Sequence, residues 1–402
     1  MLSDFYPPIM GGAWRHVQLL SKELTKRGHE VTVCTTGTKD SHRVKEEDGV
    51  KITRVEGLFQ KIPFIFKDPE KKYPPPVQDL LLTRKLKKMI DIEKPDIIHS
   101  HNWITYSALP LRRKYNIPLV VTLHDYGYVC PKKILMSRNT ICNRPFRTEC
   151  IGCGRESYGL TKSFFACYGV KLNKEKLKKL VDKFIAVSPF VKEVYSKYLS
   201  IGKKIVVIPN FYDIEKGNLR PREDGIFPDD FILFVGVLAP YKGVDLLIDA
   251  YNTLNTETKI VLIGKTHPGY SYKSSKNTMI IENAPHELVM EAFSKCKFVV
   301  IPSRCADCCP TVALEAMSCK KAVIASNIGG LSDVIVNGKT GILIPFNNSK
   351  KLTRAMRYLL KNPSTANELG KNGFKRFKRN YTPDIVVPKI EKIYANLCNK
   401  DS

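Results

Sequence analysis

The 402-residue chain is short of acid: 39 Asp and Glu stand against 65 Lys and Arg, a formal charge of +26. It lacks any uncharged apolar run of about 18 residues, so nothing reads as a membrane-spanning helix. The opening Met1-Leu2-Ser3-Asp4-Phe5-Tyr6 has neither the basic flank nor the apolar stretch of a secretory signal. A cytoplasmic location is therefore expected. Zinc-finger, RRM and KH patterns are also missing, so the charge is not read as nucleic-acid binding. The 43% apolar and 26% charged content is that of a soluble globular protein. It excludes a disordered chain, a collagen and a coiled coil. The length suggests two domains.

What is present is a basic surface and twelve cysteines. The excess charge points to polyanionic neighbours, either phosphorylated ligands or an anionic membrane face, or to a plain lysine-rich solvated surface. It is densest over Lys67–Lys88, Lys171–Lys183 and Lys371–Arg379. Without a signal, thiols or metal ligands are expected before disulfides. Cys150 and Cys153 have metal-ligand spacing. With Cys130 and Cys142 they read first as free thiols, a structural zinc site being the alternative, in which Cys167 can replace one ligand. Cys305, Cys308 and Cys309 read as packing thiols.

Short apolar runs alternate with helical periodicity. Trp14, Val17, Leu20 and Leu24 repeat at helical spacing, Gly28 stops that helix, and Val31–Thr35 is a strand. Further strands are expected at Ile97–Ile98, Leu119–Leu123, Phe184–Val187 and Ile205–Ile208, with a helix over Leu80–Ile92. Such runs suit a parallel sheet buried on both faces. A second series has strands at Phe231–Val235, Ile260–Ile263, Met279–Ile281, Phe298–Ile301, Ala322–Ala325 and Ile342–Ile344. Its helices fit Val244–Leu254, His286–Ser294, Thr311–Ser318 and Lys350–Leu360. The expected organisation is an N-terminal α/β domain over 1–212, a second over 213–380, and a C-terminal helix over 381–402 packing back on the first. The joint lies near Phe211–Gly225, with Gly217 and Pro221, and a cysteine-bearing insert spans about 126–168. Only Met1–Phe5 precedes Gly11-Gly12, so the opening strand is expected to be truncated.

The chemistry-bearing residues fall at strand ends. Asp307 lies in the loop after Ile301–Ser303, and Pro310 suits the first position of the next helix. Glu315 then sits just over a turn into that helix. Both would face the crevice where open α/β sheets bind ligands. The free amides of Thr311 and Val312 form an anion site. Carboxylates for hydroxyls and bare N–H groups for phosphate are what a sugar nucleotide needs, although an ordinary capped helix has the same spacing. Lys242 follows a strand and can neutralise a leaving phosphate. Gly11-Gly12 allows close backbone approach to a diphosphate. His124 follows the strand Val120–Leu123 at a crevice position; His99 and His101 read as structural.

Taken in order, these motifs resemble the retaining glycosyltransferases of family 4 (glycosyl transferases group 1) in the GT-B superfold. Pro7-Pro8-Ile9-Met10-Gly11-Gly12 is similar to the family's glycine loop. Asp96 to His101 and Thr122 to Asp125 match two inner strand ends, and Ala186 to Ser188 and Ile208 to Asn210 match the end of the first domain. Gly236-Val237-Leu238 through Lys242-Gly243 matches the donor-phosphate turn, and Pro302-Ser303, Asp307 to Met317 and Gly329-Gly330 the signature region. The resemblance implies two Rossmann-like doubly wound domains facing across a cleft. It implies that Gly12 places its amide on the donor diphosphate, and that Lys242 binds the diphosphate and stabilises the leaving group. It also implies that Glu315 holds the ribose hydroxyls, Asp307 touches the transferred sugar and His124 sits beside it. Two positions depart from the pattern. Asp307 stands where Glu is usual, and Val237 where Arg is usual, with Arg304 a candidate substitute cation. No Asp-x-Asp occurs, so metal-independent transfer is expected, with no cofactor beyond the nucleotide-sugar substrate.

The function expected from all this is a retaining hexosyltransferase. It would use a UDP-sugar or GDP-mannose and a glycan, lipid-linked or cell-envelope acceptor. The Lys67–Lys88 stretch is read as a docking surface for the anionic inner face of the cell membrane. The competing readings are a non-catalytic sugar-nucleotide-binding scaffold, a nucleic-acid binder and a sugar-nucleotide epimerase.

Overall fold

The computed structural model describes residues 1–9, 11–36, 44–62, 72–137, 140–214, 225–272 and 276–399. Met10 of the glycine loop, Lys67 and Lys71 of the basic stretch, and Gly217 and Pro221 of the joint lie outside the described residues. The chain divides into two compact units. The first comprises Met1–Arg138, Cys142–Pro209 and Val386–Ser402; the second comprises Asn139–Ile141 and Asn210–Ile385.

In the first unit eight strands run in the order Ile205–Val207, Lys183–Ala186, Leu119–Leu123, Ile98–His101, Leu2–Ser3, Thr32–Thr36, Val50–Val55, Lys45–Glu47. All pair in parallel except the last, an edge strand antiparallel to Val50–Val55. Every residue of Leu119–Leu123 is buried, as a strand covered on both faces must be. The opening strand is two residues long, yet it fills the central slot. Leu2 stands opposite Cys34 on one side and Ser100 on the other.

Helices cover the sheet through ordinary capping and stripe patterns. Asp79 accepts the Leu82 amide at 3.0 Å and so caps the helix Leu80–Glu93, whose Leu82, Leu86 and Ile90 are buried. Ser188 caps Pro189–Leu199 in the same way. The last helix, Pro383–Cys398, buries Val386, Val387, Ile390, Ile393 and Tyr394, and from Val386 onward it belongs to the first unit.

The second unit has six parallel strands in the order Thr278–Ile281, Lys259–Ile263, Phe231–Val235, Phe298–Ile301, Val323–Ser326, Ile342–Ile344. Numbered along the chain within the unit, the order is 3-2-1-4-5-6. The direction of winding reverses between Phe231–Val235 and Phe298–Ile301. Doubly wound sheets bind ligands beyond the carboxyl ends of the two strands at such a reversal. Phe298–Ile301 and Val323–Ser326 are buried throughout.

Candidate active site

The loop after Phe231–Val235 carries Lys242, and the loop after Phe298–Ile301 carries Asp307. They are the two loops at the winding reversal. Lys242 Nζ donates to Asp307 Oδ1, so two residues 65 positions apart form one ion pair. Ser303 Oγ donates to Asp307 Oδ2 at 2.5 Å, which occupies the other carboxylate oxygen. Burial alone would lower the Lys242 ammonium. Asp307, with Cys305 adding, instead holds it well above the usual lysine range, so it is a permanent cation.

The pair meets because the backbones approach closely. Gly243 ends the turn Pro240–Lys242 in a left-handed conformation, φ +72°, and a Cβ there would lie 2.1 Å from the Pro302 carbonyl oxygen. Arg304 and Cys305 both donate their amides to the Tyr241 carbonyl, at 2.9 and 3.1 Å. From the loop after Val323–Ser326, the Gly330 amide donates to the Asp307 carbonyl at 2.6 Å, and a Cβ on Gly330 would come within 2.0 Å of the Cys308 oxygen. Three successive strand-end loops therefore fix the carboxylate.

The helix Thr311–Ser318 begins beside them with no acid in its first turn, so the amides of Thr311 and Val312 keep their attraction for an anion. Pro310 stands at the N-cap rather than at the first helical position: its ψ of 115° is extended, not helical. Glu315 is a buried carboxylate one turn in. Asn210 donates its side-chain amide to the Cys309 carbonyl at 3.0 Å and pins the far side of the loop.

In the first unit, Gly12 opens the helix Gly12–Lys26, whose first turn also has no acid. His124 follows the strand Leu119–Leu123 and belongs to a histidine stack. His101 Nδ1 and His124 Nε2 lie 2.9 Å apart, and their rings stack with centroids 5.1 Å apart. His16 meets His124 at 5.0 Å and His99 meets His101 at 4.3 Å. His99 is held by Tyr394 Oη at 2.6 Å and Thr122 Oγ1 at 2.7 Å, which fits the structural role expected of it. His101 instead buttresses His124. Burial first pushes His99, His101 and His124 well below the usual histidine value, helped at His101 and His124 by neighbouring imidazoles and at His99 by the Met1 ammonium and then His16. His124 is thus a neutral hydrogen-bonding ring. The next residue is fixed too: Asp125 accepts from Asn102 Nδ2 at 2.8 Å and from the Gly127 amide at 2.7 Å.

A model of the family described as Glycosyltransferase Family 4 matches residues 10–216, and one described as Glycosyl transferases group 1 matches residues 221–376. The chain belongs to this glycosyltransferase family. An uncharacterized glycosyltransferase of Methanocaldococcus jannaschii is 28% identical, with 99% of this chain and 98% of that one covered. The glycogen synthase of Mycobacterium tuberculosis is 24% identical over 98% of this chain and 93% of its own. Among solved structures, sucrose-phosphate synthase from Thermosynechococcus elongatus superposes with a TM-score of 0.73 at 21% identity, covering 96% of this chain and 94% of that one. Anabaena HepE in complex with UDP-glucose superposes with a TM-score of 0.74 at 15% identity, covering 98% and 99%. The fold is GT-B.

Two sequence expectations for this glycosyltransferase need correction or restatement. Arg304 is not a spare phosphate cation. Its Nη1 donates to both Asp245 oxygens at 2.7 and 2.8 Å and to the Pro240 carbonyl at 3.1 Å, and its Nε to Asn347 Oδ1 at 2.8 Å. It is a strut for the Lys242 turn. Cys130, Cys142, Cys150 and Cys153 stand as free thiols. Cys153 Sγ donates to the Met136 carbonyl, and burial pushes the Cys130 thiol up to about 12. Among the described residues no group of three or more His, Cys, Asp or Glu is arranged to hold a metal ion, and no helix is long and apolar enough to cross a membrane. The sequence reading gave no role to Ser303 as the carboxylate's partner or to His101 as the support of His124. The only signal for either was its position at a strand end.

Proposed function

We propose that this glycosyltransferase moves a hexosyl group from a UDP-sugar or GDP-mannose to a glycan, lipid-linked or cell-envelope acceptor, with retention and without a bound metal. The observation that carries the reading is the Lys242–Asp307 pair at the winding reversal of a 3-2-1-4-5-6 sheet. In this reading Lys242 and the Thr311 and Val312 amides take the diphosphate, Glu315 takes the ribose hydroxyls and Asp307 touches the sugar. Gly12 offers its amide, and His124 its neutral imidazole. The bond from sugar C1 to the diphosphate oxygen breaks and its electron pair leaves with the diphosphate, whose charge Lys242 offsets. The acceptor hydroxyl bonds to C1 on the same face and gives its proton to the departing phosphate oxygen. Metal independence rests on the lack of an Asp-x-Asp in the sequence.

The test is nucleoside diphosphate release across a panel of sugar nucleotides, with and without EDTA, and NMR of the product's anomeric configuration. Lys242→Ala or Glu315→Ala should lower transfer by about 100-fold or more, the usual cost of losing a charge-stabilising group, with the far-UV spectrum unchanged. Wild-type turnover in either variant removes that residue from the site. Binding without diphosphate release would make the chain a scaffold.

A further inference from the structure

The helix Leu160–Leu172 is built inside out. Its buried residues are small, Ser163, Ala166, Gly169 and Val170. The approach they permit is close: Ser163 Oγ donates to the Ile151 carbonyl at 2.7 Å, and a Cβ on Gly169 would lie 2.9 Å from the Pro76 oxygen. The large apolar residues face solvent. Leu160 is 57% exposed, Phe164 45%, Phe165 70%, Tyr168 53% and Leu172 62%. At 3.6 residues per turn, positions 160, 164, 168 and 172 form one stripe about 18 Å long, with Phe165 at its flank. The rings support one another: Phe164 stacks on Tyr168 at 5.6 Å and meets Phe165 edge-on at 5.7 Å. A soluble helix hides this face and shows the other. A contiguous exposed patch of this size marks a contact surface.

Charge says what touches it. Residues 160–180 carry six lysines and one acid, Glu175, which Lys178 pairs at 3.0 Å. Lys171, Lys176 and Lys179 are exposed. A second copy of this chain would bring the same lysines face to face across any twofold contact. An anionic lipid surface meets both halves of the pattern, with aromatics at the headgroup boundary and lysines over phosphate. In the described part of the Lys67–Lys88 stretch Lys72 donates to the Gln60 carbonyl at 3.2 Å and Lys87 pairs with Asp91 at 3.8 Å, while Arg84 and Lys88 are exposed beside no comparable apolar stripe.

We propose that the stripe Leu160, Phe164, Phe165, Tyr168 and Leu172, framed by Lys171, Lys176 and Lys179, is the surface by which this glycosyltransferase sits on an anionic lipid bilayer. The inference rests on the proposed function only in favouring a lipid-borne acceptor; the docking itself does not depend on it.

The test is flotation of the full chain with phosphatidylcholine vesicles, pure or with about one-third phosphatidylglycerol, at low and physiological salt. The wild type should bind the anionic vesicles. F164S/F165S should bind about tenfold or more weakly at both salts, and Lys171, Lys176 and Lys179 changed together to Gln should lose binding chiefly at low salt. Both variants should keep the wild-type rate of donor hydrolysis in solution, which shows an intact fold. Lack of vesicle binding by the wild type overturns the proposal. So does F164S/F165S binding as well as the wild type, or a wild-type dimer in sedimentation that F164S/F165S abolishes while no vesicles bind. A wild type without donor hydrolysis would sink the transferase reading while leaving the vesicle result to stand.

Discussion

The histidine stack makes the first unit sensitive to acid. Burial lowers His16 to about 4, from an ordinary value of 6.5. His99, His101 and His124 lie well below 6.5 for the same first reason. A base depressed in the folded state binds fewer protons there than in the unfolded chain. Its contribution is intact above the unfolded value and is lost as pH falls below it. At pH 5, 1.5 units below the unfolded value, the His16 ring costs about 2 kcal/mol. His99, His101 and His124 add losses of the same sign. Asp4 works in the opposite direction. Burial raises it to about 6, from 3.8, so between those values the folded state binds the extra proton, which returns about 1 kcal/mol at pH 5. His16 and Asp4 together leave a net loss of about 1 kcal/mol at pH 5, and the other three rings deepen it, against a typical domain stability of about 5–15 kcal/mol. The assay is urea unfolding at pH 7.5 and pH 5 followed by tryptophan fluorescence. Both tryptophans, Trp14 and Trp103, lie in the first unit, so the signal reports that unit alone. The midpoint should be lower at pH 5, and His16→Leu should flatten the dependence by about 1.4 kcal/mol per pH unit below 6. A midpoint that holds between pH 7.5 and pH 5, or an undiminished slope in the variant, refutes the reasoning.

Three further outcomes follow from the second unit. Gly330→Ala forces a methyl group against the Cys308 carbonyl oxygen; urea unfolding should show a loss of about 1–3 kcal/mol, and transfer should fall with it because the Asp307 loop must move. Arg304→Ala removes the strut to Asp245 and Asn347; kcat should fall, while the salt dependence of donor KM should stay as in wild type, because the guanidinium carries no donor phosphate. Asp307→Glu advances the carboxylate by one methylene, so the Ser303 and Lys242 contacts cannot both be kept. A misplacement near 1 Å should lower kcat by about 100-fold, and a rate equal to wild type would show that the carboxylate's reach is not fixed.

The strands were legible because parallel strands covered on both faces are solid apolar runs. Leu119–Leu123, Phe231–Val235, Phe298–Ile301 and Ile342–Ile344 fall where the sequence places them. Two of the helices that escaped pack closely through small residues. Pro363–Asn380 packs through Gly370 and Gly373, with Gly370 pressed on the Lys320 carbonyl oxygen. Leu160–Leu172 packs through Ser163, Ala166 and Gly169. Neither gives an apolar period to read, and Thr105–Tyr115 carries Pro110 inside it. The two-residue opening strand is too short for any pattern. At the site, the residues at strand ends could be named from the sequence. The Lys242–Asp307 pairing could not, because it depends on strand order, and strand order is a long-range property.

That pairing does not exist for the sake of the fold. Lys242 keeps about a quarter of its side chain exposed and Asp307 about an eighth, and an ion pair in such surroundings contributes little net stability. The loops are already held by backbone: Gly243 against Pro302, Tyr241 accepting two amides, Gly330 donating to Asp307. A cation fixed in place by groups that do not need its charge is pre-organised for charge that develops in a reaction, since no reorientation is required when the leaving group departs. In the proposed reading, the backbone approaches that exclude a side chain at Gly243 and Gly330 hold the Lys242–Asp307 pair in place for a substrate.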